Sequence, residues 1–483
     1  FFVILPFLSP ARVERMAESD IKDADQPASD ADIIVEAPGL ETLVVDAIEA
    51  GEVERVRDIV AELHYADFAD LLERMGRDDR DQLIMIVRDF FDPEVLSELD
   101  ERVREHVLEV LGVRRAANAI SELDSDDALL VLQEMDEERQ KELLDHISDT
   151  ERTFIEEGLS YPEDSAGRLM QREVVTVPSQ WNVGQCIDYI RRRADDGENE
   201  LPSIFYDIFV IDTRHHPVGA VSLSALLRSR RQTPISEVME EEMHEIQVTT
   251  DQEDIAFLFR QRDLVSAPVI DADGRLVGAI TIDDVVDVIH EEHEEDIMRM
   301  GGVIEDDLYQ ASISTARARF SWLVVNLLTA IMASMVIGLF DATIQEVVAL
   351  AVLMPIVASM GGNAGTQTLT VTVRALATKE LTGTNAFRVI SKEVIVGVFN
   401  GIAFAILSGL VAWLWFGSAT LGFVIASAMV INMIIAGLAG TTIPIMLERA
   451  GVDPAIASSV FLTTITDVVG FFAFLGLAAL FLL

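Results

Sequence analysis

Two kinds of hydrophobic pattern divide this chain near residue 320. Before that point apolar residues recur at three- and four-residue spacing or alternate in short runs; after it they merge into stretches long enough to cross a bilayer. Five such stretches are read, at 320–340, 347–374, 394–416, 423–447 and 455–483. Each is near or above the roughly 20 apolar residues that a hydrocarbon core requires. The second is unusual. Pro355, Gly361, Gly362 and Gly365 interrupt it, and Asn363, Thr366, Gln367, Thr368, Thr370 and Thr372 bring polar groups to membrane depth. Hydrocarbon offers polar groups no partner, so this pattern predicts a broken helix that packs on protein or lines water. A glycine-mediated helix contact and a pore or substrate path both fit.

From about 41 to 160 the pattern is helical, with a faint internal repeat: Leu63, Asp67, Leu72, Met75 and Leu83 recur about 60 residues later as Leu123, Asp127, Leu132, Met135 and Leu143. Stacked helical hairpins forming a superhelix are expected, with the leucines as core. Between about 169 and 289 strand-like runs alternate with helices, and one unit occurs twice. VVTVP at 174–178 is followed by a strand–turn–strand–helix pattern at 208–227; IQVTT at 246–250 is followed by the same pattern at 266–289. Next comes DDVVDVIHEEHEED at 283–296, which holds eight acids and no Lys or Arg.

The charge is uneven. The net charge is −46, from 82 acidic and 36 basic residues, and from Phe320 onward there are only seven acids and five bases. The preceding 319 residues thus hold 75 acids and 31 bases, an acidic soluble half ahead of a nearly neutral membrane half. Such a surface argues against nucleic-acid binding, repels anionic lipid and concentrates cations. General acidity for solubility or a saline habitat contributes to the same balance. Arg317, Arg319, Arg374, Lys379, Arg388 and Lys392 flank the first span and the loop after the second, whereas the loops after spans one and three hold no Lys or Arg. That asymmetry places the amino-terminal half in the cytoplasm and, with five spans, the carboxyl terminus outside, in a multi-pass protein of the cell membrane. The apolar run FFVILPFL is too short to span and lacks preceding bases, so 1–40 reads as a poorly ordered extension. Cys186 stands alone, which excludes an intrachain disulfide.

Two features carry candidate chemistry. Asp467 is the ionisable residue deep in the fifth span, with no basic partner in the spans; such carboxylates mark ion pathways or proton relays, or cap and pair structurally. In the acidic run, Glu292 and Glu295 or Asp296 share a helix face near Asp287 and His290. A solvated face and a site for hard divalent cations both fit, since carboxylate oxygens suit such ions. His290 and His293 have the wrong spacing for zinc.

The repeated α/β unit resembles a tandem pair of CBS domains, which implies a sensor that binds an adenine nucleotide such as ATP or transduces another signal. The ribose-contacting pair of that family matches Thr281 and Asp284; Ala225 stands at the acidic position in the first copy. PIVASMGGNAGTQTLTVTVRALA in span two, ATKEL after it, GVDPAIAS before span five and TDVVG within it, in this domain order, resemble an MgtE-type magnesium channel/transporter. The resemblance implies no enzyme activity but a homodimer with a pore between subunits, lined by spans two and five. It implies a pore Mg²⁺ site at Asp467 and the Thr463 backbone oxygen, with Gly361, Gly362, Asn363 and Gln367 lining the path. It also implies regulatory Mg²⁺ at Glu253, Asp263, Asp284, Asp287, Glu292, Glu295 and Asp296. Thr366 and His290 depart from the family pattern. The expected organisation is an extension over 1–40, a superhelical domain over 41–165, CBS domains over 166–232 and 233–289, an acidic connecting helix over 290–318 and a five-helix membrane domain over 319–483.

Overall fold

A computed structural model describes residues 39–196, 201–202, 204–303 and 312–483. The 1–40 extension, except its last two residues, and 304–311 of the connecting segment lie outside the described residues. The chain divides into two compact units, 1–99 and 100–483.

The first unit is helical: α1 (Leu40–Glu49), α2 (Val53–Ala61), α3 (Tyr65–Arg74), α4 (Arg77–Val87) and α5 (Val95–Glu98). Its amphipathic helices bury Val44, Val56, Leu72, Leu83, Ile84 and Leu96. Buried Arg80 donates from Nε to the Leu72 carbonyl at 2.7 Å and from Nη2 to that of Met75 at 3.1 Å, satisfying carbonyls at the end of α3.

The second unit opens with α6 (Glu101–Leu111), α7 (Val113–Glu122), α8 (Ser125–Gln133), α9 (Glu137–Leu144) and α10 (Asp149–Leu159). Here the repeat has a physical counterpart. Gln140, 60 residues after Arg80, donates to the Leu132 carbonyl at 3.1 Å, and Leu132 and Leu143 are buried as Leu72 and Leu83 are. Asp100, Asp136 and Ser148 cap their helices by accepting from backbone N–H groups.

After α11 (Ala166–Leu169) come two modules of one design. The first holds β1 (Thr176–Pro178), α12 (Val183–Asp196), β2 (Asp207–Ile211), β3 (Pro217–Ser222) and α13 (Leu223–Arg228); the second holds β4 (Ile246–Gln247), α14 (Gln252–Arg262), β5 (Ser266–Ile270), β6 (Leu276–Thr281) and α15 (Ile282–Gly301). In each the first strand pairs parallel with the second and the second antiparallel with the third, and the ladder shifts register at the same place, Val210/Ile211 and Val269/Ile270. Gly219 in β3 and Gly278 in β6 hold equivalent places in the two modules. A Cβ on Gly219 would lie 2.8 Å from the Met239 sulfur, and one on Gly278 2.7 Å from the Gln171 carbonyl, so each strand lets a neighbouring segment pass against it. Met170 and Ala166, ahead of the first module, thereby enter the core of the second. α15 is one helix across the boundary expected at 289/290, and it ends at Gly302 in the left-handed region.

The membrane half consists of α16 (Ser312–Gly338), the short α17 (Asp341–Glu346), α18 (Ala349–Ala377), α19 (Ala386–Phe416), α20 (Ala419–Arg449) and α21 (Pro454–Phe481). Among the described residues five helices are long and apolar enough to cross a membrane, matching the five expected spans. The expected break in the second is absent: α18 is a continuous α-helix with Pro355 inside it. Two of its hydroxyls are satisfied within the helix, Thr370 donating to the Thr366 carbonyl at 3.0 Å and Thr372 to that of Thr368 at 2.8 Å. Two of its glycines are filled from outside. A Cβ on Gly361 or Gly365 would lie 2.2 Å from Asn432 or 2.8 Å from Leu462, so close packing offsets their weak helix propensity.

Candidate cation sites

The acids of α15 fall into two groups. At its first turn Thr281 Oγ1 donates to Asp284 at 2.9 Å and also to Asp283. Loss of water first, with Asp283 and Asp127 adding to it, lifts the Asp284 carboxyl to about 7 despite the Thr281 bond. Asp126 on α8 is pushed well above the carboxylate range, first by burial and then by Asp284. This group joins the helical domain to the second module, where Gln171 also donates to Asp124 at 2.9 Å and Ser125 to Glu173 at 2.7 Å.

The other group lines a cavity of about 670 Å³ between α14, α15, the end of α18 and the start of α21, with Asp164, Asp251, Glu253, Glu292, Glu295, Asp296, Glu448 and Asp453 on its wall. Burial lifts Glu253 to about 7, aided by Glu292 and opposed by Lys379. Burial lifts Asp296 to about 6, aided by Asp453 and Glu292. Glu292 is raised by burial although Gln252 donates to it at 2.9 Å. Asp287 is exposed and is raised by desolvation and by Asp283. Asp263 does not line the cavity: it caps α14, exposed, with φ +53°. Among the described residues no three carboxylate, imidazole or thiol groups converge to hold a bare ion.

Two bases fasten this cavity to the membrane helices. Arg299 bridges Glu295 and Asp453, the latter at 2.5 Å, and Asp453 caps α21 by accepting from Ala455 N at 2.7 Å. Lys379, after α18, pairs with Asp254 on α14 and lies 4.8 Å from the Phe257 ring centroid. Met300, at the end of α15, packs against Leu369 and Val373 of α18 and Ala455 and Leu462 of α21. The acidic helix thus ends against the bases of two membrane helices.

Within the bundle, α18 shows two faces. Gly361, Gly365, Thr368 and Thr372 are buried; Asn363, Thr366, Gln367, Thr370 and Arg374 are exposed, at three- and four-residue spacing. Gly362 opens on empty space. Gly361, expected to line the path, instead turns inward against Asn432 of α20. On α21, Asp467 is half-buried and makes no hydrogen bond or ion pair among the described residues, while Thr463 is exposed and its carbonyl accepts from the Thr466 hydroxyl at 3.1 Å.

Comparison with known proteins agrees with this layout. The family model for MgtE, a divalent cation transporter, matches residues 354–477, and that for the MgtE intracellular N domain matches 31–164. The magnesium transporter MgtE of Bacillus subtilis is 31% identical over 442 residues, 91% of this chain and 96% of its own length. That of Thermus thermophilus is 33% identical over 444 residues, 90% of this chain and 97% of its own. The chain belongs to the MgtE family. A solved structure, the cytosolic domain of the Mg²⁺ channel MgtE in complex with ATP, aligns with TM-score 0.47 and 30% identity over 52% of this chain and 100% of that one. The CBS model matches 235–291, the second of this MgtE chain's two modules.

Several residues of this MgtE-family chain escaped the sequence reading. Asp126 and Asp127 sit in a DSDD run at a helix start, where acids ordinarily serve the helix dipole. Glu393 on α19, with 12% of its side chain exposed, accepts from Thr368 at 3.2 Å; its neighbours Lys392 and Arg388 made it look like part of a cytoplasmic loop. Asn432 gave no signal at all inside an apolar run.

Proposed function

We propose that this MgtE-family protein is a homodimeric, Mg²⁺-selective channel that admits Mg²⁺ passively and is closed by high cytoplasmic Mg²⁺. The observation that carries the reading is the pairing of an unpartnered Asp467 on α21 with an exposed polar face on the adjacent α18. Lipid is an unfit neighbour for Asn363, Thr366, Gln367 and Thr370, so a second copy of the chain covers this face and encloses a polar path. Asp467 and the Thr463 carbonyl hold the ion there through its waters, with Gly362, Asn363 and Gln367 along the route. No P-loop is present, so the gradient and membrane potential supply the drive.

Closure follows from the acids. Glu253, Glu292, Glu295 and Asp296 crowd one cavity wall when the cytosolic modules sit against the membrane helices, and Asp284 and Asp287 add like charge nearer the start of α15; burial, with like-charge repulsion adding to it, raises Glu253, Asp284, Asp287 and Asp296. Hydrated Mg²⁺ offsets that repulsion and holds Met300 against α18 and α21; as Mg²⁺ falls, the modules separate. Asp263, exposed at the α14 cap, joins this set only through a partner brought to it. Thr281 and Asp284 are the pair that would contact a bound adenine nucleotide, at the first turn of α15 beside α8.

The test is flux into liposomes containing the full-length protein, with Mg²⁺, Mn²⁺, Co²⁺ and chloride in turn. Mg²⁺ entry that stops when Mg²⁺ is added on the cytosolic-domain side is expected. Chloride flux would make it an anion pathway, and nucleotide binding without any flux would make it a membrane-anchored sensor.

A further inference from the structure

Asn432 lies in the interior of α20, with none of its surface exposed. Its Nδ2 donates to the Val357 carbonyl of α18 at 2.8 Å, and its Oδ1 has no hydrogen-bond partner. The two helices beside it have no side chain where it sits. A Cβ on Gly361 of α18 would lie 2.2 Å from Nδ2, and one on Gly470 of α21 would lie 2.8 Å from the same atom. Gly470 follows Asp467 by three residues, about one helical turn. One carboxamide therefore fills notches in both helices that carry the polar path. An apolar side chain of similar size would fill the same volume without stranding an oxygen, so packing alone does not account for asparagine here.

We propose that Asn432 is a positioning residue that sets the spacing of α18 and α21 and so the distance of Asp467 from the polar face of α18. The Val357 bond fixes the height of α20 on α18, and the bulk of the carboxamide fixes how far α21 stands off. The inference rests on the pore reading given above.

The experiment compares wild type, N432A, G361A and the double variant G361A/N432A as full-length protein in liposomes. Initial Mg²⁺ flux is read against Mg²⁺ concentration, beside the distance between spin labels at Val371 and Phe461. Both positions are exposed, on α18 and α21. Each single variant should assemble, shift the label distance, and lower flux about tenfold with a raised KM, because sub-ångström displacement of a binding group has effects of that order. The double variant, whose new methyl occupies space vacated by the carboxamide, should recover toward wild type in both readouts. If only the double assembles, its recovery relative to the singles is the supporting result. Wild-type flux and label distance in N432A would overturn the proposal, as would a double no better than G361A, or failure of all three to assemble. Absence of Mg²⁺ flux in wild type would instead sink the pore reading, and the label distances would still decide the spacing.

Discussion

The junction cavity and the middle of the membrane bundle both hold carboxylates, but they treat them differently. In the cavity Glu253, Glu292, Glu295 and Asp296 stand close together, Arg299 and Lys379 answer part of the charge, and burial raises Glu253 to about 7 and Asp296 to about 6. In the bundle Asp467 stands alone, without a base or a hydrogen-bond donor among the described residues. Crowded acids at a wet boundary can trade protons, bases and ions, so their charge follows the surrounding solution. A solitary carboxylate in an apolar bundle has few ways to offset its charge: a proton, or a cation that comes to it. On the reading proposed above, the difference is that between a sensor and a path.

The comparison breaks most sharply at Asp467. Asp467→Ala should abolish Mg²⁺ flux while leaving assembly intact, and Asp467→Asn should be nearly as severe, since it keeps shape but removes charge. Attraction at a few ångströms in a partly screened site is on the order of several kcal/mol, or about 100-fold and more in occupancy. Normal flux through a well-assembled Asp467→Ala protein would return this residue to a structural role.

Neutralising Asp284, Asp287, Glu292, Glu295 and Asp296 together should leave flux in place and remove its closure by Mg²⁺, read as flux against cytosolic-side Mg²⁺ and as lost protection of α15 from protease. A variant that still closes at the wild-type concentration would refute the sensor assignment.

The basic fasteners have a smaller effect. Lys379→Ala and Arg299→Ala remove partly exposed pairs, each worth at most about 1 kcal/mol, so the Mg²⁺ concentration for closure should rise by no more than about fivefold. An unchanged closing curve in both would show that Met300 and the acids suffice.

The least effect is that of pH. Glu253 near 7 and Asp296 near 6, both on the cavity wall, lie above the ordinary carboxylate range in the docked arrangement. A raised carboxylate pKa means that docking takes up protons, so docking is favoured as pH falls through 7 and opposed as pH rises past it. In Mg²⁺-free buffer, protection of α15 should be a few-fold greater at about pH 6 than at about pH 8. Equal protection would mean that other groups carry the repulsion.

Much of this was legible in the chain. Length and hydropathy located all five spans, because a helix in hydrocarbon must satisfy its backbone internally over a set thickness. The third helix begins at Ala386, earlier than the 394 expected. The repeated module was legible because its glycines serve the same close approach twice. Span two was misread as broken. Glycines in a row predict a weak helix when considered locally, but Asn432 and Leu462 come from α20 and α21 and restore its packing. The acidic run was read as one set, yet α15 sends Asp284 toward α8 and Glu292, Glu295 and Asp296 toward α14 and α21.

Sequence by itself therefore determined which residues are apolar, charged or small, and hence the spans, the two modules, the acidic half and the lone Asp467. These follow from one-dimensional periodicity and composition, which helices and strands convert directly into faces. Tertiary structure alone decided what each face meets: Gly361 against Asn432, Arg299 against Asp453, Asp126 beside Asp284. Those contacts join residues tens to more than a hundred positions apart, and burial and like charge shift a carboxylate only once such neighbours have been brought to it.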